Sequence, residues 1–273
     1  MTECGFILID KEIGISSAKM LYPIKKKLPK YCKIGHAGTL DPFASGLLIA
    51  AIGRATKAIE YVMGMDKVYQ FTVKWGMETD TDDLTGKVIN TVNNIPIHSE
   101  IAEILYQFHG KIMQQPPKFS AIHIHGKRAY DLARSGLDFN LEARQVIINS
   151  LIITNHNDDK TTFIMECSKG CYVRSIARDI AHKLGTYAHV IALRRTKIGD
   201  FKVADASDRV ISTIEIFNHY PKVYIDDETA KKIINGIKIK VSDYEKFLVV
   251  NEKYDLIMIS TNIDGVIKFK KIS

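Results

Sequence analysis

One carboxylate stands out by its setting. Asp41 lies in Gly-His-Ala-Gly-Thr-Leu-Asp-Pro-Phe-Ala-Ser-Gly, residues 35–46, among three glycines, one proline and four small residues. Glycine admits positive φ and lets another backbone come close. Pro42 fixes its own φ and biases Asp41 toward extended backbone. The apolar run at 47–52 follows at once and anchors the loop in a core. A carboxylate clamped in this way can serve as a nucleophile or accept a proton. A lone Leu-Asp-Pro also fits a surface turn closed by an Asx-type bond.

A second candidate is aromatic. Over 68–75 the chain alternates, with Tyr69, Phe71, Val73 and Trp75 on one face and Gln70, Thr72 and Lys74 on the other, which predicts a strand. Tyr69 is then a core aromatic at a strand start, or a platform on which an extruded base stacks. Cations gather at Lys25, Lys26, Lys27, Lys30 and Lys33, just ahead of the Asp41 loop. They form a solvated helix face or a phosphate track.

Metal sites fare poorly. The acidic segment 78–86 invites a calcium loop, but with Asp80 as position 1 the fifth, sixth and twelfth positions are Leu84, Thr85 and Thr91. The ligand, glycine and glutamate of an EF-hand are all missing, so the segment reads as a turn bonded to its own backbone. His123 and His125 lack a third ligand at suitable spacing and read as solvent-facing. Cys4, Cys32, Cys167 and Cys171 form no Cys-x-x-Cys pair and read as free thiols of a reducing cytoplasm.

The elements that position these groups follow from apolar spacing. Short runs predict strands at 5–10, 161–167 and 189–196. Helical spacing appears at 55–63 and 100–108. Gly170 allows a turn into a helix carrying Tyr172, Arg174 and Arg178, which Gly185 closes. Lys127, Arg128 and Arg134 are expected on a short helix ending near Gly136. Beyond about 221 the character changes: a helix at 227–234, stopped by Asn235-Gly236, and strand-like runs at 237–241, 247–251, 256–260 and 266–269 predict a small β-barrel.

The chain has 273 residues, 46% of them hydrophobic, enough for a sizeable core. Its formal charge of +7 suits a polyanionic partner without establishing one. No signal peptide and no apolar run of membrane-spanning length is evident.

The 35–46 segment closely resembles the Gly-His-Thr-Gly-Thr-Leu-Asp-Pro-x-Ala-x-Gly motif of the bacterial tRNA pseudouridine synthase B family, with Ala37 for the commoner threonine. The resemblance continues over roughly 6–200. Residues 79–86 match Thr-Asp-Thr-x-Asp-x-x-Gly, and 169–174 match Lys-Gly-x-Tyr-x-Arg. At 10–14 the family's Asp-Lys-Pro-x-Gly has Glu12 in place of proline. The resemblance implies an enzyme that isomerises uridine 55 in the T-loop of tRNA. It implies Asp41 as the catalytic aspartate, Arg174 as its ion-pair partner, and His36, Tyr69, Tyr172 and Leu193 around the flipped base. Lys11, Lys57, Lys127 and Arg128 are expected RNA contacts.

The implied fold is α+β: a mixed, largely antiparallel sheet flanked by helices. Residues 1–220 would form the catalytic domain, with a thumb-like RNA-binding insertion at about 109–136. Residues 221–273 would form a small RNA-binding-type β domain, short for the family. No metal or cofactor is implied, tRNA is the partner, and neither a membrane nor an obligate protein partner is expected; the location is cytoplasmic. Two rivals are an RNA-binding protein without catalysis, against which Asp41, Tyr69 and Arg174 argue, and a Gly-rich phosphate-binding enzyme, whose motifs are missing.

Overall fold

The computed structural model describes residues 4–124, 126–137, 139–237, 244–253, 256–263 and 266–271, with backbone alone at 256, 257, 261–263 and 266–270. His125, and 238–241 of one expected strand, lie outside the described residues.

The apolar runs become strands. In chain order these are β1 (Gly5–Lys11), β2 (Ile34–His36), β3 (Ser45–Ile52), β4 (Lys67–Trp75), β5 (Met77–Thr79), β6 (Val88–Thr91) and β7 (Gly110–Gln114). After them come β8 (His123–Ile124), β9 (Lys127–Arg128), β10 (Arg144–Asn157), β11 (Lys160–Cys167), β12 (Ala188–Ile198) and β13 (Phe201–Lys202). Nine of these form one sheet in the order β1-β3-β12-β4-β11-β10-β7, with β2 on β3 and β13 on β12. Only the β3–β12 pairing within it is parallel. β3 is buried continuously from Gly46 to Ile52, which is why it reads as an unbroken apolar run. β4 alternates as expected: Phe71, Val73 and Trp75 are buried, and Phe71 stacks on Phe163 of β11 with centroids 5.1 Å apart.

The helices are short: α1 (Ser17–Met20), α2 (Tyr22–Lys27), α3 (Ile59–Gly64), α4 (His98–Ile104), α5 (Ala129–Arg134) and α6 (Val173–Lys183). The helix expected at 55–63 is split, a 3-10 turn over Gly53–Ala58 preceding α3. α6 packs Val173, Ile176, Ala177, Ile180 and Ala181 against the sheet, in one cluster with Phe71, Phe163 and Leu193. Among the described residues no helix is long and apolar enough to cross a membrane.

Two expectations need correction. Lys127 and Arg128 lie on β9 of a small β8–β9 hairpin and not on the helix, because Gly126 takes φ +80° at the tip and turns the chain back. The C-terminal part is no closed barrel among the described residues. α7 (Thr213–Ile216) leads to β14 (Lys222–Tyr224), α8 (Asp227–Ile234), β15 (Lys246–Asn251), β16 (Leu256–Ile263) and β17 (Val266–Lys271). The four strands make an open sheet in the order β14-β15-β16-β17, and β14 was not foreseen. Its strand β15 is buried and apolar on both faces. Phe247 and Val249 pack under α8, while Leu248, Val250 and Ile259 join a cluster with Phe6, Leu47 and Phe217. Where its side chains are described, the sheet hides apolar groups against neighbouring elements on both sides and not by closing on itself.

Candidate active site

Glycines with positive φ flank the Asp41 loop, and at one of them the backbones come close. Gly38 takes φ +92° and Gly46 φ +107°. A Cβ on Gly46 would lie 2.2 Å from the carbonyl oxygen of Arg195, so only glycine lets β3 meet β12 here. Below the loop, the buried Ser17 hydroxyl bonds both polar groups of Leu40, accepting from its N–H at 2.9 Å and donating to its carbonyl at 3.1 Å. Pro42 O accepts from Gly14 N at 2.7 Å.

α6 brings the counter-charge. Arg174 is 3% exposed; its Nε lies 2.9 Å from Asp41 Oδ2, and its Nη2 donates to Asp41 Oδ1 at 3.1 Å. The same guanidinium lies 3.5 Å from Asp83 Oδ2 and donates to Thr81 O and Phe119 O. One turn on, Arg178 donates to Asp82 Oδ2 at 3.1 Å and pairs with Asp179. Arginines four residues apart share a helix face, and the acidic segment meets both. That segment is also bonded to itself, as expected: Asp83 Oδ1 accepts from Thr81 and from Thr85. Burial pushes the Asp82 carboxyl up to about 6, Arg178 pulling it back. Burial likewise raises Asp41 above the ordinary carboxylate value, while Arg174 opposes the rise.

A cleft of about 340 Å³ opens beside Asp41, bordered by Tyr69, Tyr172, Arg174 and Leu193. Tyr69 is a neutral phenol: burial raises it to about 12, and the neighbouring Arg195 guanidinium pulls the other way. Tyr172 is the N-cap of α6, its ring covered by Arg144 at 5.0 Å, and its backbone N–H and C=O are clasped by the Gln114 amide. Ser120 lines the cleft with a buried hydroxyl that has no partner among the described residues.

Five of the expected residues, Asp41, Tyr69, Tyr172, Arg174 and Leu193, therefore surround one cleft. The others stand elsewhere. His36, on β2, is not among the residues that border the cleft; burial and Arg195 lower its pKa, and its Nδ1 is unpartnered among the described residues. Lys57 is exposed on the 3-10 turn, and Lys127 and Arg128 are exposed on the hairpin. Lys11, expected as an RNA contact, is instead fully buried. Its ammonium donates to Glu12 O, Ile15 O and Pro42 O and props the Asp41 loop from below.

Sequence reasoning missed Asp82 and Asp83 as partners of Arg174 and Arg178. The i, i+4 arginine spacing on a largely buried helix was a usable signal, since a buried guanidinium and a half-buried one on the same face call for carboxylates. It also missed Lys67 and Arg195, buried at the cleft floor. Nothing in their local sequence distinguishes them from surface cations.

The backbone superposes on the solved Cbf5-Nop10-Gar1 complex with a TM-score of 0.70 at 21% identity, covering 98% of this chain and 85% of that one. An archaeal box H/ACA Nop10-Cbf5 complex gives 0.69 at 20%. The architecture is thus the α+β pseudouridine synthase fold. Residues 25–173 match the TruB family pseudouridylate synthase N-terminal domain, and 174–234 match the tRNA pseudouridylate synthase B C-terminal domain. Curated relatives named tRNA pseudouridine synthase B include those of Borrelia garinii subsp. bavariensis (38% identical, 99% of each chain) and Aquifex aeolicus (39% identical, 98% of this chain and 99% of the relative). The chain belongs to the TruB family of pseudouridylate synthases.

Proposed function

We propose that this protein converts a uridine of tRNA, at position 55 of the T-loop, into pseudouridine. The observation that carries the reading is Asp41, held by Arg174 at the mouth of an aromatic cleft, in a chain of this family. The reaction breaks C1′–N1, turns the base and joins C5 to C1′. It is redox-neutral and needs a carboxylate at the sugar, either bonding C1′ or taking the C2′ proton. Both uses require the ionised form, which Arg174 favours against burial.

Base stacking hides the reacting atoms, so the uridine must be flipped out of the loop. Tyr69, Tyr172 and Leu193 are the groups that would hold it, and confinement lets the detached base recombine instead of escaping. The β8–β9 hairpin, with Lys127 and Arg128, and the exposed Lys57 would meet phosphates. The insertion that carries the hairpin is tied to the site: Gln115 O accepts from Ser175 and Arg178, and Phe119 O from Arg174.

The test is pseudouridine mapping in unmodified tRNA treated with purified protein. Wild-type protein should modify the single T-loop position. Asp41→Asn should form none while binding tRNA within a few-fold of wild type. Substantial turnover by the Asn variant would remove Asp41 from the mechanism.

A further inference from the structure

Three side chains share one face of the β4–β12 ladder. Lys67 and Tyr69 are two residues apart on β4, and Tyr69 lies directly across from Arg195 on β12. All three line the cleft. Lys67 is 6% exposed and Arg195 1%. Their hydrogen bonds are made: Lys67 Nζ donates to Met63 O and Met65 O, and Arg195 donates to Leu47 O at 2.7 Å and Gly38 O at 3.2 Å.

Their charges are not matched. Neighbouring arginines have carboxylates: Arg174 has Asp41 and Asp83, Arg178 has Asp82 and Asp179, and Arg194, on the opposite face of β12, has Asp10 at 2.7 Å. Arg144, which also lines the cleft, is only half-buried, lies over the Tyr172 ring and donates to Gly170 O. Among the described residues no carboxylate lies within ion-pair distance of Lys67 or Arg195. Asp66, next in sequence to Lys67, accepts from Asn149 instead. Two buried cations that repel each other are costly, and a neutral amide could satisfy the same carbonyls. Their joint presence at the cleft floor calls for an anion that arrives with the reaction.

We propose that Lys67 and Arg195 supply the positive charge that stabilises the detached base. The inference rests on reading the cleft as a uridine isomerisation site. When C1′–N1 breaks, its electron pair stays on N1, and the base becomes a uracil anion with charge spread over its two carbonyl oxygens. The sugar is left bonded to Asp41, or as an unsaturated sugar whose C2′ proton Asp41 has taken. C5 then bonds C1′ as Asp41 leaves C1′, or as Asp41 returns its proton to C2′; the C5 proton is lost and N1 gains one, so atoms and electrons balance without a co-reactant. Substrate and product bases are neutral, and only the species between them is anionic. Fixed cations therefore favour the barrier over either ground state.

The experiment measures single-turnover pseudouridine formation by the full chain on tRNA with uridine or 4-thiouridine at the target. The thiocarbonyl disperses the N1 charge and makes the base a better leaving group. Arg195→Gln and Lys67→Met should each slow uridine isomerisation about 10²-fold, with tRNA affinity within a few-fold of wild type. Arg195→Lys should recover at least about a tenth of the wild-type rate. The defect of the neutral variants should shrink at least about tenfold on 4-thiouridine, a change that a merely structural role would not produce. Near-wild-type rates in both neutral variants would overturn the proposal. So would equal defects on both substrates with no rescue by Arg195→Lys. Should Arg195→Gln fail to fold, the Lys67→Met arm decides by the same criteria. If wild-type protein forms no pseudouridine, the reading of the site itself fails, an outcome visible without any variant.

Discussion

Tyr69 has a ring and a hydroxyl, and the two do different work. The ring lies on the buried face of β4 with Phe71 and Val73, so packing alone could explain it. The hydroxyl lies beside Arg195 and is protonated at neutral pH, its pKa pushed up to about 12 by burial. A protonated phenol next to a base that gains and loses protons is placed to donate one. Tyr69→Phe keeps the ring and nearly all its apolar area. We expect it to lower single-turnover isomerisation of a T-arm stem-loop by roughly 10²–10⁴-fold, with melting temperature and affinity unchanged. A Phe variant at wild-type rates would leave the ring as the only contribution of this residue.

At the level of elements, the β4–β12 ladder holds a strained charge arrangement whose sign can be tested by pH. Burial, with Arg195 adding to it, lowers the Lys67 pKa from 10.5 to about 8. Between those values the unfolded chain holds a proton that the folded one has released, so folding stability rises with pH through that window. Below pH 8 both states are charged and the contribution is flat. The full gain approaches about 3 kcal/mol. Denaturant unfolding from pH 7.5 to 10.5 should show wild-type stability climbing relative to Lys67→Met by up to that amount. Parallel curves for the two proteins would mean that Lys67 titrates as an ordinary lysine.

The same ladder shows what could be read from the sequence and what could not. The period-two pattern of β4 and the Gly/Pro setting of Asp41 are local, and both were legible. Asp82 and Asp83 were seen only as a self-bonded turn, because the arginines they meet lie more than 90 residues away. Arg194 and Arg195 are adjacent and chemically identical. One finds Asp10 at the surface and the other turns inward, and only the pairing of β12 with β3 and β4 decides which. Lys11 was misplaced for the same reason: a lysine in a turn looks solvent-bound until Pro42 comes down on it.

For the whole molecule, the question is whether the C-terminal sheet is a separate module or part of the main body. A division near 220 was expected from the change in character of the chain. The packing runs across that point. Leu248, Val250 and Ile259 share a cluster with Phe6, Leu8, Leu47 and Ile49, and Phe217 meets Phe6 edge-on at 5.9 Å between centroids. β1 is the strand that pairs with β3, and β3 follows directly from the Asp41 loop. The sheet thus buttresses the floor on which the site is built. Leu248 and Ile259 are both fully buried, so Leu248→Ala or Ile259→Ala should destabilise the chain by about 2–5 kcal/mol. If the sheet shares its core with the main body, calorimetry should show one transition moving as a whole to lower temperature, and thermal loss of isomerisation should follow it. A free-standing RNA-binding module would behave differently. A separate transition would move alone, the main one would stay in place, and isomerisation would fail only when the main one melted.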